Sequence, residues 1–397
     1  MSETRPPVFD DHPRTDATPA DHRETSFQFL NRVAGSYWDQ VRELVQDWLN
    51  HIIDDVHYRD IRGRLRADNA SSYSAFLELY VHELLLRAGY QVVIHPDVPS
   101  SSRHPDFLAE GHGEAFYVEA TMPGPPSEAL GAAQRRAVFL DTIQQIRNQD
   151  FFLALEHLVV GPYPAKGRKA RRQVERWLAT LDPDEVTYDR DSRSRFRWAL
   201  DGWEVEFSSI PIPAENRGRP NHRIIGIYAD TDAHFEDDAP TIRSALAGKA
   251  TAYGALDKPL IIAIGTYIWD TDRWHSANAL YGTSALTWVA GEDVSAEPIP
   301  TRMPDGFFGT VGQWSNRGVG AILHINQLQP HHVQRAEATL WFHPAGSGAL
   351  NSLAGRIPAT AMLPSSGTVH EIPPEVHPNT YFDLPDPWPI GDAFPDN

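Results

Sequence analysis

The chain has 397 residues, of which 41% are hydrophobic, so it can bury a substantial core and is too apolar to be disordered throughout. It contains no cysteine, which excludes disulfides, thiolate nucleophiles and zinc–thiolate sites. Its net charge of −18 disfavours non-specific binding of nucleic acid or anionic membranes, so a nucleic-acid function would need a local basic face. With no signal-like N-terminus and no apolar run of roughly twenty residues, we expect a cytoplasmic protein without a membrane partner.

The N-terminal part is expected to be a tail followed by helices. Residues 1–25 are polar and proline-rich and predict a flexible tail, whereas 26–70 predict a helical segment. The strongest periodicity there marks one buried helix face, formed by Val41, Leu44, Val45, Trp48, Leu49 and Ile52. A second helix is predicted from about Ser72 to Arg87; it ends before Gly89 and carries Glu78.

A β-hairpin is predicted directly after this helix. The segment YQVVIHP predicts a short strand, and PDFLAEG and EAFYVEAT flank the tight turn GHG. A turn centred between His112 and Gly113 places Asp106 opposite Glu119, about 5 Å apart by ordinary cross-strand geometry. The alternation of a strand adds Thr121 to the face that carries Glu119.

The facing carboxylates of Asp106 and Glu119 are the main candidate for a functional site. Like charges directly opposite each other destabilise a strand pair unless they share a proton or a cation. Oxygen ligands favour Mg²⁺, or Mn²⁺, and Glu78 could supply a third oxygen. A structural interpretation explains the spacing equally well: Asp106 would be a turn residue after Pro105, and Glu119 would lie on a solvated strand face. The apolar surroundings of Glu119 favour the functional interpretation, because an unpaired charge is costly to bury.

A large insertion is expected at about 123–240, and it contains a strongly basic segment. The sequence KGRKARRQVER could bind a phosphate backbone despite the overall acidity. Such a run is more often a solvated helix face, and a similar, weaker cluster is formed by Arg59, Arg62, Arg64 and Arg66. The candidate nucleic-acid-binding residues in the basic segment are Lys166, Arg168, Lys169, Arg171 and Arg172.

After the insertion the sequence predicts the last elements of the core. Residues 241–253 have helical periodicity with Lys249 on the apolar stripe, and PLIIAIG predicts a buried strand. Residues 71–265 would therefore form the core, interrupted by the insertion. Residues 266–397 are predicted to be an irregular region that ends in an acidic, proline-rich tail.

The order of these elements resembles the PD-(D/E)XK nuclease superfamily, which has a restriction-endonuclease-like fold. Pro105 and Asp106 match the PD of its motif, Glu119 matches the second acid, and Glu78 matches the helical glutamate common in that fold. The resemblance covers roughly residues 72–122 and 241–265; more loosely, the chain is similar to uncharacterised bacterial proteins assigned to the superfamily.

This resemblance implies an α/β fold whose core is a helix, a mixed sheet containing the hairpin, a second helix and a strand. It also implies Mg²⁺-dependent hydrolysis of phosphodiester bonds in DNA or RNA, with Asp106 and Glu119 as the catalytic acids. Bacterial phage defence is the biological context that it suggests.

One position departs from the family motif. Thr121 stands where the family has a lysine that orients the attacking water and stabilises charge on the phosphate. The superfamily sometimes supplies this lysine from a neighbouring helix, and Lys249 is the candidate, although a lysine that only covers apolar surface with its stem fits the same pattern.

Because a threonine hydroxyl cannot carry the lysine's charge, alternatives to an enzyme remain open. One is a catalytically inactive protein of the same fold that binds nucleic acid or a protein partner. Another is a scaffold that acts through its acidic surface and its C-terminal tail, and a homo-oligomer is compatible with each of these interpretations.

Overall fold

The computed structural model describes residues 5–99, 101–124, 127–218, 223–228, 237–287, 299–310, 312–346, 350–365 and 368–394. The chain divides into two compact units. The first comprises Met1–Ala17, Thr25–Gly124 and Asp237–Asn397, and the second comprises Thr18–Glu24 and Pro125–Glu236. The second unit thus covers nearly the same residues as the insertion expected at about 123–240.

The first four helices of the described chain follow one another directly, and strands separate most of the later ones. In chain order they are α1 (Ser26–Arg32), α2 (Ser36–Asn50), α3 (Asp55–Leu65), α4 (Asn69–Arg87), α5 (Ser127–Gln144), α6 (Gly167–Leu178), α7 (Ala239–Ala250), α8 (Trp274–Tyr281), α9 (Asn351–Ala354) and α10 (Pro378–Tyr381). The helix face predicted between Val41 and Ile52 is buried, which confirms that periodicity. The helix predicted from Ser72 begins earlier, because Asp68 caps α4 by accepting a hydrogen bond from the backbone N of Ser71 at 3.0 Å.

Among the described residues, the strands form one large sheet, a smaller four-stranded sheet and two short ribbons. In chain order they are β1 (Gln91–Ile94), β2 (Phe107–Gly111), β3 (Glu114–Thr121), β4 (Phe151–Val159), β5 (Arg195–Leu200), β6 (Trp203–Pro211), β7 (Ile225–Tyr228), β8 (Leu260–Thr266), β9 (Ser284–Thr287), β10 (Ile299–Arg302), β11 (Gly309–Thr310), β12 (Gln313–Trp314), β13 (Val319–Asn326), β14 (Glu337–Phe342), β15 (Thr360–Ser365) and β16 (Thr368–Ile372).

The large sheet belongs to the first unit and is mixed. Its strand order is β1-β2-β3-β8-β13-β14-β15-β16, and β8 runs parallel to both of its neighbours, β3 and β13. One face packs against α4, where Leu77 contacts a core that includes Val118, and the other face packs against α7, where Leu246 shares a core with Ile262. The first unit is therefore an α/β structure with helices on both faces of a mixed sheet.

The second unit has its own sheet and its own core. The strand order is β5-β6-β4-β7, with β4 and β6 antiparallel over most of their length. Phe139 from α5 and Val174 from α6 pack with Phe207 of β6 in a separate buried cluster. The segment that contains KGRKARRQVER forms α6, as its helical interpretation predicted.

The prediction of an irregular region at 266–397 is wrong. Strands β13 and β14 lie inside the large sheet, and every residue of β13 is buried. Because helices cover both faces there, the strand reads as a continuous apolar run rather than as an alternation. Within the described part of the C-terminal tail, Phe382 is 2% exposed and belongs to the main core.

The expectation of a flexible tail also fails for residues 5–17. Val8 is 1% exposed, and its backbone N donates to the side chain of Gln46 at 2.8 Å. Arg66 donates to the carboxylate of Asp10 at 2.9 Å. Single side chains of an extended segment make these contacts, so they leave no periodic signal in the sequence.

Candidate active site

The hairpin of β2 and β3 has the predicted register. Its turn residues His112 and Gly113 both have positive φ, of 54° and 80°, the geometry that suits a two-residue hairpin. The ladder runs from Gly111 opposite Glu114 to Phe107 opposite Val118. The next residues along it are Asp106 and Glu119, so the predicted pairing register is confirmed.

Asp106 and Glu119 project from the same face of the large sheet. Leu108 and Tyr117 lie opposite each other and both pack in the core beneath α7. Two residues further along each strand, Asp106 and Glu119 share that orientation because side chains alternate with a period of two. The exposed fraction of the side chain is 18% for Asp106 and 5% for Glu119.

Glu119 is held by two donors, one from the last turn of α7 and one from the turn that follows this helix. Nζ of Lys249 lies 2.5 Å from Oε1 of Glu119, and the hydroxyl of Tyr253 donates a hydrogen bond to Oε2. Burial and the neighbouring Glu119 carboxylate raise the pKa of Tyr253, so the phenol stays protonated as a donor. The charge of Glu119 is therefore compensated within the protein.

Asp106 is less well compensated. Its Oδ2 accepts a hydrogen bond from the backbone N of Ala120 at 2.7 Å, and its Oδ1 lies 3.9 Å from Nε2 of His95. Burial, together with the negative charges of Glu119 and Glu78, holds the pKa of the Asp106 carboxyl well above its usual value. A cation that bound here would relieve an electrostatic cost present in the fold.

A pair of contacting histidines lies near the site, and neither was predicted from the sequence: His95 lies beside Asp106, and His57 contacts His95. Nδ1 of His95 lies 3.0 Å from Nε2 of His57 on α3, and the backbone N of His95 donates to the carbonyl of Asp106 at 2.9 Å. His95 has φ of 48°, a left-handed conformation that is uncommon outside glycine. Burial lowers the pKa of His95, and the nearby His57 lowers it further. No spacing in the sequence connects these two residues.

Glu78 does not have a free carboxylate. Arg64 donates to both of its oxygens, at 2.6 and 2.5 Å, which is the bidentate geometry of a strong ion pair. The same arginine also contacts Asp60 at 3.0 Å. In this arrangement both carboxylate oxygens of Glu78 are hydrogen-bonded to Arg64, and its role as a third metal-binding oxygen stays a prediction.

Most side chains of the weaker arginine cluster form hydrogen bonds or ion pairs within the first unit. Arg62 donates to the carbonyl of Pro7 at 2.7 Å, while Arg64 and Arg66 form the ion pairs described above. These side chains fix the N-terminal segment and Glu78. They are not arranged as a free basic surface.

Thr121 is the last residue of β3 and is partly exposed. It shares the face of Glu119, as predicted, and no described residue forms a hydrogen bond with its hydroxyl. Across the residues that the structure describes, no group of three or more histidine, aspartate and glutamate side chains is arranged to hold a metal ion.

The basic segment borders a groove in the second unit, which we call the basic groove. It has a volume of about 610 Å³ and lies at the N-terminal end of α6. The cationic side chains that line it are Lys166, Arg168, Lys169, Arg172 and Arg176. Arg171, the fifth predicted residue, instead donates to Gln145 at 2.6 Å. The structure thus brings four of the five predicted residues together.

Comparisons with known proteins give no relative for this chain. No protein-family model matches it, and neither does any curated protein or any solved structure. In the described part of the chain, no helix is both long enough and apolar enough to cross a membrane.

Proposed function

We propose that the protein is a metal-dependent nuclease with a restriction-endonuclease-like core, which hydrolyses phosphodiester bonds of DNA or RNA. The observation that carries this proposal is the 2.5 Å contact between Nζ of Lys249 and the carboxylate of Glu119, on the sheet face that also carries Asp106. A helix, a hairpin with two acids, a second helix and a parallel strand occur in the order that the superfamily resemblance implies.

Asp106 and Glu119 would hold the metal ion, Mg²⁺ or Mn²⁺. When bound, the ion supplies a coordinated water of lowered pKa and positive charge for the phosphate. The raised pKa of Asp106 supports this fit, because two neighbouring carboxylates and burial disfavour its charge in the absence of a cation. Glu119 already shares its two oxygens with Lys249 and Tyr253, so it would contribute to the site together with these donors.

The protein's own residues would then orient the reaction. Lys249 would take the place that Thr121 leaves without a charge. Its side chain is 35% exposed, and its ammonium can hydrogen-bond a phosphate oxygen as negative charge develops there. Tyr253 fixes the second oxygen of Glu119 and so limits its rotation. His95 lies on the Asp106 side of the site, with its Nε2 3.9 Å from Oδ1 of Asp106, and His57 contacts the other ring nitrogen of His95.

The basic groove would bind the phosphate backbone. Its five cations contrast with the net charge of −18 of the whole chain, so electrostatic attraction of a polyanion is confined to a local surface. Lys166 pairs with Asp201 at 3.0 Å, whereas Arg168, Lys169 and Arg172 form no ion pair with the residues that the structure describes. Their charges are thus available for phosphate groups.

Cleavage assays with single- and double-stranded DNA and RNA in Mg²⁺ or Mn²⁺ test the proposal. The wild-type protein should cleave at least one of these, and Asp106→Ala purified by the same procedure should not. Equal activity in the two preparations would reveal a contaminating nuclease and overturn the assignment of the site.

A second candidate is an inactive protein of the same fold that binds nucleic acid. The specific observation in its favour is that Glu119 and Glu78 each have a cation within the chain, in Lys249 and Arg64, and are stable without a metal ion. Calorimetric titration with Mn²⁺ separates the candidates. Metal binding that Glu119→Gln abolishes supports the nuclease, whereas nucleic-acid binding without metal binding supports the inactive protein.

A further inference from the structure

A second polar cavity lies at the ends of two parallel strands of the large sheet. It has a volume of about 680 Å³, within the usual range of small-molecule sites, and we call it the strand-end pocket. Thr266 and Asn326, the last residues of β8 and β13, pair with each other at its base. Ligands of open α/β sheets commonly bind outside the carboxyl ends of parallel strands, so the location itself favours binding.

The floor of this pocket is a fixed network of buried polar groups. His324 is 5% exposed, and its two ring nitrogens contact the hydroxyls of Thr266, at 2.6 Å, and Ser276, at 2.9 Å. Asn326 accepts a hydrogen bond from Thr266 at 2.9 Å. Burial lowers the pKa of His324 to about 4, so the floor carries no positive charge at neutral pH.

The rim carries an exposed aromatic side chain. Trp269 is 85% exposed, so nearly the whole indole is in contact with water. An indole in that position offers a planar face on which an aromatic ring can stack, as nucleobases do on the aromatic side chains of single-strand-binding proteins. The neighbouring Asp272 and Arg273 both have left-handed backbones, with φ of 54° and 57°. Strained positions of this kind are frequent at ligand sites.

The walls offer hydrogen-bond acceptors and little free positive charge. Glu337 and Asp272 are exposed carboxylates that line the pocket. Arg273 is the cation of the lining, and its guanidinium lies 3.1 Å from the carboxylate of Glu371 and 3.3 Å from the hydroxyl of Thr339. A ligand that presents N–H donors therefore matches these walls, whereas a phosphate group would be repelled.

The strand-end pocket and the candidate active site share one face of the sheet. His324 of β13 lies opposite Ile264 of β8, and Glu119 of β3 lies opposite Ile262 of the same strand. His324 and Glu119 are therefore two strands apart across the sheet and two residues apart along it. Ordinary strand geometry places their Cα atoms about 12 Å apart. This separation is on the scale of one or two nucleotides of an extended single strand.

We propose that the strand-end pocket binds an unpaired nucleobase whose edge presents adjacent N–H donors, as guanine does, with the base stacked on Trp269 and its donors directed to Glu337 or Asp272. As a specificity pocket for a substrate strand it rests on the proposed nuclease function. Binding of the base alone needs neither a metal ion nor cleavage, so it is measured separately.

Saturation-transfer NMR with guanosine, in EDTA, tests this inference. Guanosine should bind the wild-type protein at least tenfold more tightly than uridine, whose base has a single N–H donor. Trp269→Ala should weaken guanosine binding at least tenfold, and Glu337→Gln should weaken it several-fold. Ile53→Ala is the matched control, because Ile53 is 87% exposed elsewhere on the first unit and should leave binding unchanged.

The outcomes distinguish the pocket from the nuclease. Absence of saturable guanosine binding up to its solubility limit, or equal binding by wild type and Trp269→Ala, overturns the pocket whether or not the protein cleaves nucleic acid. If the protein binds guanosine but has no nuclease activity, the proposed base site is supported and the proposed nuclease function is rejected. Trp269 and Glu337 are exposed, and thermal unfolding of each variant verifies that the fold is intact.

Discussion

Nζ of Lys249 lies 2.5 Å from Oε1 of Glu119, although 130 residues separate the two in the chain. The lysine comes from the last turn of α7, and the glutamate from β3. A motif lysine would stand two residues after the acid, at the position of Thr121. The ammonium therefore reaches the carboxylate from a helix on the neighbouring layer rather than from the same strand.

Replacing Lys249 by methionine should remove activity and part of the stability. Loss of a single charge-stabilising donor typically lowers the rate by about 100-fold or more. Because Glu119 is almost fully buried and loses its ion-pair partner, the free energy of unfolding should fall by about 1–3 kcal/mol. Single-turnover cleavage and urea denaturation measure the two effects.

Lys258→Met is the matched control for Lys249→Met. Lys258 pairs with a more exposed carboxylate, that of Asp257, at 2.6 Å and lies outside the proposed catalytic set. Its removal should change stability by less than about 1 kcal/mol and leave cleavage intact. Equal effects of the two lysine substitutions would argue against a specific role for Lys249.

Tyr253→Phe removes only the hydroxyl that donates to Glu119. A buried acceptor without its donor costs about 1–3 kcal/mol, so the free energy of unfolding measured by urea denaturation should decrease by this amount. Cleavage should also be slower, because the carboxylate of Glu119 can rotate more freely. Tyr163, which is 72% exposed, provides the control Tyr163→Phe, which should be neutral. A Tyr253→Phe variant as stable as wild type would mean that the hydrogen bond has no energetic role.

The hairpin and the facing acids could be predicted because their signals are local. A tight turn fixes the register, and the register fixes which side chains share a face. The position of Asp106 opposite Glu119 thus follows from about fifteen consecutive residues. Lys249 was a candidate because it lies on the apolar stripe of the next core helix, but its contact with Glu119 depends on how α7 packs.

Other parts of the site lacked a sequence signal. The pairing of Glu78 with Arg64 joins two helices through side-chain rotamers, and the contact of His95 with His57 joins a loop to a helix. Neither spacing is periodic, so helix propensity and strand alternation predict neither of these two contacts. The buried strand β13 did have a signal, the apolar run VGAILHIN, which the glycine- and tryptophan-rich surroundings obscured.

Asp106→Asn should stabilise the metal-free protein at neutral pH while abolishing cleavage. The pKa of Asp106 is raised in the folded state, so its contribution to stability is fully present below the ordinary pKa of 3.8 and is lost as the pH rises through the raised value. Asparagine does not titrate, and its side-chain oxygen can still accept the hydrogen bond from Ala120. The stability gain of the variant should therefore be larger at pH 8 than at pH 5.

Urea denaturation in EDTA at these two pH values measures the difference. Addition of Mg²⁺ or Mn²⁺ should raise the unfolding temperature of the wild-type protein and leave that of Asp106→Asn unchanged, because an ion that binds only the folded state stabilises it. A variant that is less stable than wild type at both pH values would show that the charge of Asp106 is favourable in the fold.

Charge reversal in the basic groove should weaken nucleic-acid binding in a salt-dependent way. Arg168 and Arg172 are exposed on α6, and Arg168→Glu combined with Arg172→Glu removes two cations from the groove. For double-stranded DNA, the slope of log affinity against log salt should become less steep by about 0.9 for each phosphate group that the protein no longer neutralises.

The control reverses two exposed arginines of the first unit, Arg317→Glu with Arg335→Glu, and so makes the same change in net charge. Fluorescence anisotropy in EDTA from about 50 to 200 mM salt, a range over which phosphate-dependent affinity changes steeply, compares the two proteins. Equal slopes in both would assign the attraction to overall charge and reject the groove as the binding surface.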